Sequence, residues 1–331
     1  MFQHMKFKKI IPLLCSLALL LSGCSSLPGE EDLTYNDTLF DTVIRIQILD
    51  PVDKEVLDGC RKLCQDYDAL FSRTNENSDI YKINHAAGQA VEVSEETITL
   101  LNKGIYYCEL SGGIFDITIG AASNLWDFKA ETPSVPSSDA IAYAVSHIDY
   151  KNIIIKDNTV RLADPEAAID VGAVAKGYIA DRIKEYLEDN GVRHAVIDLG
   201  GNILTIGTKT DGSDYNIGIQ KPFDETGSPV TSVKIADKSV VTTGIYQRYF
   251  EIDGKKYHHI LDPVTGYPCD NDLYSVSIIT DSSLTADALS TVCYLMGYEK
   301  GMALIDQLDN VDAIFITKDG KLHYSDNFLK E

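Results

Sequence analysis

In the segment TADALSTVCYLMG (285–297), Asp287 and Thr291 stand four residues apart. On a helix they share one face, while Leu289, Val292, Leu295 and Met296 supply an apolar one. A carboxylate and a hydroxyl one turn apart present two oxygens to a single point. The same pair also fits an Asp that caps the helix start and a Thr bonded back to its own helix. DVGAVAKGYIADRIKEYLEDNG (170–191) opens a second helix, with Asp170 just before it, Gly172 and Gly177 permitting close approach, and Asn190-Gly191 closing it. Free N–H groups at such a start, with Lys176 one turn in, suit a phosphate; Asp170 as a plain N-cap is the structural alternative. HHILDPVTGYP (258–268) puts a histidine pair beside Asp262 in a loop at a strand end, which is how a general base is placed. Asp262 also serves simply to start a turn. If the stretch is extended, His258 and His259 face opposite ways. GGIFDITIG (112–120) brings Phe115 and Asp116 together as an aromatic surface beside an acceptor, or as a strand entry. The 170–191 turn carries neither a Walker loop nor a G-x-G-x-x-G fingerprint.

These residues need elements to position them. DTVIRIQILD reads as a strand, Val52 to Phe71 as a helix, and Ser94 to Ser111 as a helix ending at Gly112-Gly113. NIIIKDNTVRLAD turns at Asp157-Asn158, AVIDLGGNILTIG turns at Gly200-Gly201-Asn202, and two more strands flank Asp253-Gly254. Local hairpins dominate over a strand-then-helix rhythm. The expected fold is therefore α+β, a single large domain over 34–331 with mixed, largely antiparallel sheets and packed helices. Its likeliest soft points are the Pro/Ser/Gly-rich loops at 131–139 and 221–229.

The N-terminus predicts a location. Lys6, Lys8 and Lys9 precede the apolar run Ile10 to Leu21, and LSGC follows at once. This is a secretory signal over 1–23 with a cleavage pattern that leaves a lipid-carrying Cys24, so the chain is expected outside the cytoplasm on a lipid anchor. Residues 24–33 are its polar tether. The signal takes away three lysines and no acid, so the net charge of −21 becomes −24 in the mature chain. A nucleic-acid partner is excluded by that field. Of seven cysteines, Cys60, Cys64, Cys108, Cys269 and Cys293 remain after Cys15 and Cys24. With no CxxC and an odd number, neither a zinc cage nor a disulfide framework is expected.

Seven segments in order carry a resemblance over most of the mature chain: FSRTNENSDIYKIN, SGGIFDITIGAASNLWDF, DVGAVAKGYIAD, DLGGNILTIG, VTTGIYQRYF, HHILDPVTGYP and TADALSTVCYLMG. Together they resemble the ApbE family of flavin transferases, the FAD:protein FMN transferases. The resemblance implies an enzyme that cuts FAD, moves FMN through its phosphate onto a threonine hydroxyl of a secreted or membrane-bound partner protein, and releases AMP. It implies magnesium, with manganese as a second possible ion, held by Asp287, Thr291 and the Ala173 carbonyl. A hard cation takes such oxygens at roughly 2.1 Å and keeps several waters. It further implies FAD contacts at Asp170, Lys176, Ile114, Phe115, Asp116, Thr74, Phe40 and Ile260, with His259 as the base toward threonine and Asp262 orienting it.

The chain departs from the family at Phe40-Asp41-Thr42, where Met-Gly-Thr is frequent, at Thr74, where some members carry an aromatic, and at Val264, where Arg is frequent. Those changes bear on the flavin-side wall rather than on the metal and phosphate segments. Two other functions fit the same residues: a magnesium-dependent FAD pyrophosphatase, with water in place of the hydroxyl, and a non-catalytic flavin-binding lipoprotein.

Overall fold

Short alternating segments separated by turn residues form antiparallel hairpins, and these build most of the sheet. In the computed structural model the described residues are 33–331, apart from 225, 327 and 329–331. They belong to one compact unit. The signal segment, Cys24 and the tether up to residue 32 lie outside the described residues. Leu33, counted with the tether above, begins the first strand.

The main sheet has eight strands, in the spatial order Leu33–Leu39, Thr42–Ile48, Ala195–Leu199, Asn202–Ile206, Ser239–Gly244, Leu273–Thr280, Asp312–Thr317 and Leu322–Tyr324. Each neighbouring pair is antiparallel. The hairpins at 157–158, 200–201 and 253–254 appear as expected. Two elements were not foreseen. Leu33–Leu39 buries only Tyr35, so its alternation is faint, and it pairs with Thr42–Ile48 through a turn at Phe40-Asp41. The expected soft point at 221–229 instead joins Tyr215–Gln220 to Pro229–Ile235 as another hairpin.

One sheet face, with Ile44, Ile46, Ile197, Leu199, Leu204, Val276, Ile278 and Phe315, lies in the same apolar core as the helices Ala175–Asp189 and Ser283–Met296. The other face packs Val240, Ile279, Ile314 and Ile316 against Tyr215, Ile219, Val233 and Ile235 of the added hairpin. Leu273–Thr280, covered on both faces, is almost wholly apolar or small, as such a strand must be. A separate aromatic cluster, Trp126, Phe128, Phe250, Tyr257 and Tyr267, supports the hairpin Tyr249–Ile252/Lys255–His258.

Candidate functional site

Gly177 sets how closely the two central helices approach. A Cβ there would meet the Ser283 carbonyl oxygen at 2.3 Å and Leu284 Cα at 2.6 Å, so only hydrogen fits. At this crossing each helix caps the other. The helix Ala175–Asp189 has Val174 at its N-cap with no side-chain cap, and the Gly177 N–H of its first turn donates instead to Asp287 Oδ2 at 3.0 Å. The helix Ser283–Met296 is capped by Ser282, and Asp181 from the first helix accepts from Ser282 Oγ (2.8 Å), Ser283 N–H (2.7 Å) and Leu284 N–H (3.0 Å). First-turn N–H groups lack intrahelical partners, so both carboxylates answer a demand that helices always make. Asp170 does not cap the helix that follows it: four residues lie between it and Ala175, and its Oδ1 accepts from Gly172 N–H at 2.9 Å.

Asp287 is 3% exposed. Its other oxygen, Oδ1, lies 3.4 Å from Lys176 Nζ, and that ammonium also donates to the Gly172 carbonyl at 3.2 Å. Thr291 lies one turn on, its Oγ1 3.1 Å from Thr243 Oγ1 on the strand Ser239–Gly244. Thr291 is thus tied to the sheet rather than bonded back to its own helix. Ala173, half-buried, occupies the turn between Gly172 and the helix. Among the described residues no three His, Cys, Asp or Glu side chains converge as a metal cage. The donor set is one carboxylate, one hydroxyl and main-chain oxygen. That suits a hard divalent ion taking the rest of its shell from water and phosphate, and suits zinc poorly.

Asp170 faces a network that sequence reading passed over. Its Oδ2 pairs with Arg73 Nη1 at 3.1 Å and accepts from Ser123 Oγ at 3.0 Å; Arg73 also reaches Ser123 Oγ at 2.7 Å. Arg73 belongs to the quoted FSRTNENSDIYKIN, and its charge beside a hydroxyl-rich stretch was the available signal. Thr74, next to it, is exposed and bonded only to Ser72. Phe115 is buried, and Ile114 is half-buried before it. Asp116 spends both oxygens on the protein's own hydrogen bonds, Oδ1 on Thr118 in the same loop and Oδ2 on the Tyr150 N–H of a distant segment at 2.9 Å. Burial pushes its carboxyl above the usual range.

The two histidines do face opposite ways. His258 is buried, its Nε2 3.1 Å from the Cys269 carbonyl and its Nδ1 without a partner. His259 is half-buried, its Nδ1 3.3 Å from the Arg248 carbonyl. A carbonyl only accepts, so Nδ1 carries the proton in His259 and Nε2 is left as the basic nitrogen. Desolvation, and then the Arg248 charge, hold His259 at about 4. Desolvation, and then His259, do the same to His258. Both are neutral at pH 7. Asp262 is not the partner that orients His259: its Oδ1 accepts from Val264 N–H at 2.8 Å, closing the 262–266 turn, and the Arg248 carbonyl takes the orienting place. Asp-Pro favours that local turn, which engages one of the two carboxylate oxygens. Trp126 Nε1 anchors the turn through the Gly266 carbonyl at 3.0 Å, and Ile260, buried, bonds through its carbonyl to Cys269 N–H.

Phe40 and Asp41 have φ of 54° and 61°, a left-handed pair without glycine. Such a turn stands only when its surroundings hold it. Asp68 Oδ1 accepts from Phe40 N–H, Lys129 pairs with Asp41 at 2.9 Å, and Arg248 donates to the Asp41 carbonyl at 3.1 Å. Arg73, Arg248 and Lys129 all act electrostatically on Asp41, and Arg248 and Lys176 both act on His259. Three of these four cations are paired with carboxylates, Arg73 with Asp170, Lys129 with Asp41 and Lys176 with Asp287, while Arg248 donates to the Asp41 carbonyl.

A model of the ApbE family matches residues 40–315. The chain belongs to the ApbE family. Among ApbE relatives it is 37% identical over 279 residues to the FAD:protein FMN transferase of Treponema pallidum, covering 80% of this chain and 77% of that one. It is 38% identical over 269 residues to that of Klebsiella pneumoniae, covering 80% and 83%. The fold matches the ApbE protein of Thermotoga maritima with a TM-score of 0.82 at 30% identity, over 90% of this chain and 98% of that one. The ApbE flavin transferase of Vibrio cholerae gives 0.80 at 28%, again over 90% and 98%. The mixed, antiparallel α+β architecture expected from sequence is therefore that of the ApbE fold. Cys60, Cys64, Cys108, Cys269 and Cys293 are free and buried.

Proposed function

We propose that this protein transfers FMN from FAD to a threonine hydroxyl of a partner protein and releases AMP, with magnesium required. Membership of the ApbE family, whose relatives bear the name FAD:protein FMN transferase over most of their length, carries this reading. The threonine Oγ attacks the FMN phosphorus, the bond from that phosphorus to the AMP oxygen breaks, and the threonine proton passes to Nε2 of His259. The Arg248 carbonyl fixes the ring in the tautomer that leaves Nε2 free. Incoming phosphates place negative charge beside His259 and raise its proton affinity, offsetting what Arg248 takes away. Lys176 holds phosphate, Arg73 and Asp170 hold the flanking wall, and Asp287 with Thr291 and Ala173 hold the cation. Bound there, magnesium supplies charge neutralisation on the pyrophosphate.

The LSGC signature supports placing the enzyme outside the cytoplasm on a lipid at Cys24, and an acyl mass on the mature N-terminus tests that. For the reaction, the deciding experiment is mass spectrometry of a secreted candidate acceptor after incubation with the enzyme, FAD and magnesium. An FMN adduct on threonine is expected. AMP and free FMN appearing at the same rate with FAD alone, and no adduct on any acceptor, would make the enzyme a pyrophosphatase instead.

A further inference from the structure

Lys176 occupies a place that its phosphate role does not explain. Its ammonium lies between the Gly172 carbonyl and Asp287 Oδ1, at 3.2 and 3.4 Å. Asp287 and the Ala173 carbonyl are the groups assigned above to the divalent cation, and the Gly172 carbonyl that Lys176 meets is the one just before Ala173 in the same turn. The ammonium thus has a main-chain oxygen on one side and a carboxylate on the other, as a coordinated ion would. Burial makes this arrangement necessary. The Asp287 side chain is 4% exposed, and a carboxylate that deep needs a counter-charge. The Gly177 N–H serves only Oδ2. At Oδ1 Lys176 is the cation in contact, and its own side chain keeps 26% exposure, so it has an open path outward.

We propose that Lys176 is the stand-in cation of this site. It neutralises Asp287 while no metal is bound and leaves for the substrate phosphates when a divalent ion enters. The inference rests on the cation reading of Asp287 and Thr291. Its consequence is coupling. A metal arriving alone displaces an ammonium that has no new anion to meet, whereas with FAD present the displaced ammonium gains a phosphate. Cation and FAD therefore each strengthen the binding of the other, beyond what direct contact between them gives.

The test uses the full chain and Mn2+ as the probe, with free ion counted by electron paramagnetic resonance. Without FAD, Lys176→Met is expected to bind Mn2+ about tenfold tighter than wild type, the factor matching one charged hydrogen bond no longer in competition. Lys176→Arg, which keeps the charge, should stay near wild type. The tightening that FAD confers on Mn2+ should shrink in Lys176→Met by about the same factor. In thermal melting, metal-free Lys176→Met should fall below wild type, and added Mg2+ should close the gap. Unchanged or weaker Mn2+ binding in Lys176→Met, with binding lost in Asp287→Asn, overturns the stand-in role and leaves the cation site standing. Mn2+ binding unaltered in Asp287→Asn removes the cation site and this inference together. A melting gap that Mg2+ does not close makes Lys176–Asp287 an ordinary ion pair and also overturns it.

Discussion

Gly177→Ala tests whether the helix crossing positions the site. The added methyl would lie 2.3 Å from the Ser283 oxygen and 2.6 and 2.7 Å from Leu284 Cα and N, all of them backbone. No side chain can rotate away, so the helices must part by about 1 Å to restore ordinary contact. That parting would stretch the 3.0 Å bond from Gly177 N–H to Asp287 past hydrogen-bond range. The substitution gains about 1 kcal/mol of helix propensity. Against this, overpacking costs about 1–3 kcal/mol, and the lost charged hydrogen bond about 1.5–3 kcal/mol. The net loss is about 1.5–5 kcal/mol, which at roughly 2 °C per kcal/mol lowers the melting temperature by about 3–10 °C. Differential scanning calorimetry and a magnesium titration of FMN transfer on one sample supply the assay. Both the melting temperature should drop and the magnesium requirement should rise. A higher melting temperature with an unchanged magnesium requirement would refute the reasoning, because it would show the propensity gain acting at a crossing that tolerates a methyl.

Three further outcomes are expected. His259→Ala should lose FMN transfer by about a hundredfold or more while still binding FAD, whereas His258→Ala should act mainly on stability; single-turnover transfer and FAD titration separate the two. For pH, the buried His258 titrates at about 4 against an ordinary 6.5, so the unfolded chain takes up the proton first. Its contribution, on the order of 3 kcal/mol, is present above pH 6.5 and lost as pH falls toward 4. Melting curves across that window should show the slope, and His258→Asn should reduce it, with His259, held at about 4 as well, supplying what remains. Arg73→Met leaves Asp170 without its ion pair and should raise the KM for FAD about five- to tenfold, with the magnesium requirement unmoved; an unchanged KM would detach this network from substrate.

What the sequence disclosed was local. The turns at Asp157-Asn158 and Asp253-Gly254 follow from residues that tolerate a left-handed backbone, and the caps Ser94 and Ser111 bound their helix as the chain suggests. The opposite facing of His258 and His259 follows from strand periodicity. What escaped depends on partners far along the chain. Asp262 looked like a partner for histidine because both occur in one loop, but its Oδ1 bonds within its own turn and His259 meets the Arg248 carbonyl. Asp181 looked like any charged helical residue, and only the folded crossing places it under Ser283. Arg73 drew no attention because Asp170 lies almost a hundred residues away in sequence. Leu33–Leu39 was hidden because an edge strand with one fully buried residue hardly alternates.

The mutual capping of the two helices has a consequence for when the site comes into being. Gly177 and Asp287 are 110 residues apart, and Asp181 and Ser283 are 102 apart. Contacts at such separations close loops whose entropy must be overcome before either bond can help, so they belong to the late, slow part of assembly. Neither helix start is finished until the other is in place. A chain that has formed its hairpins but not this crossing has Lys176 and Asp287 on unconnected segments and presents no enclosed oxygen site. On the function proposed above, the place for nucleotide and cation is therefore completed only when this long-range crossing closes.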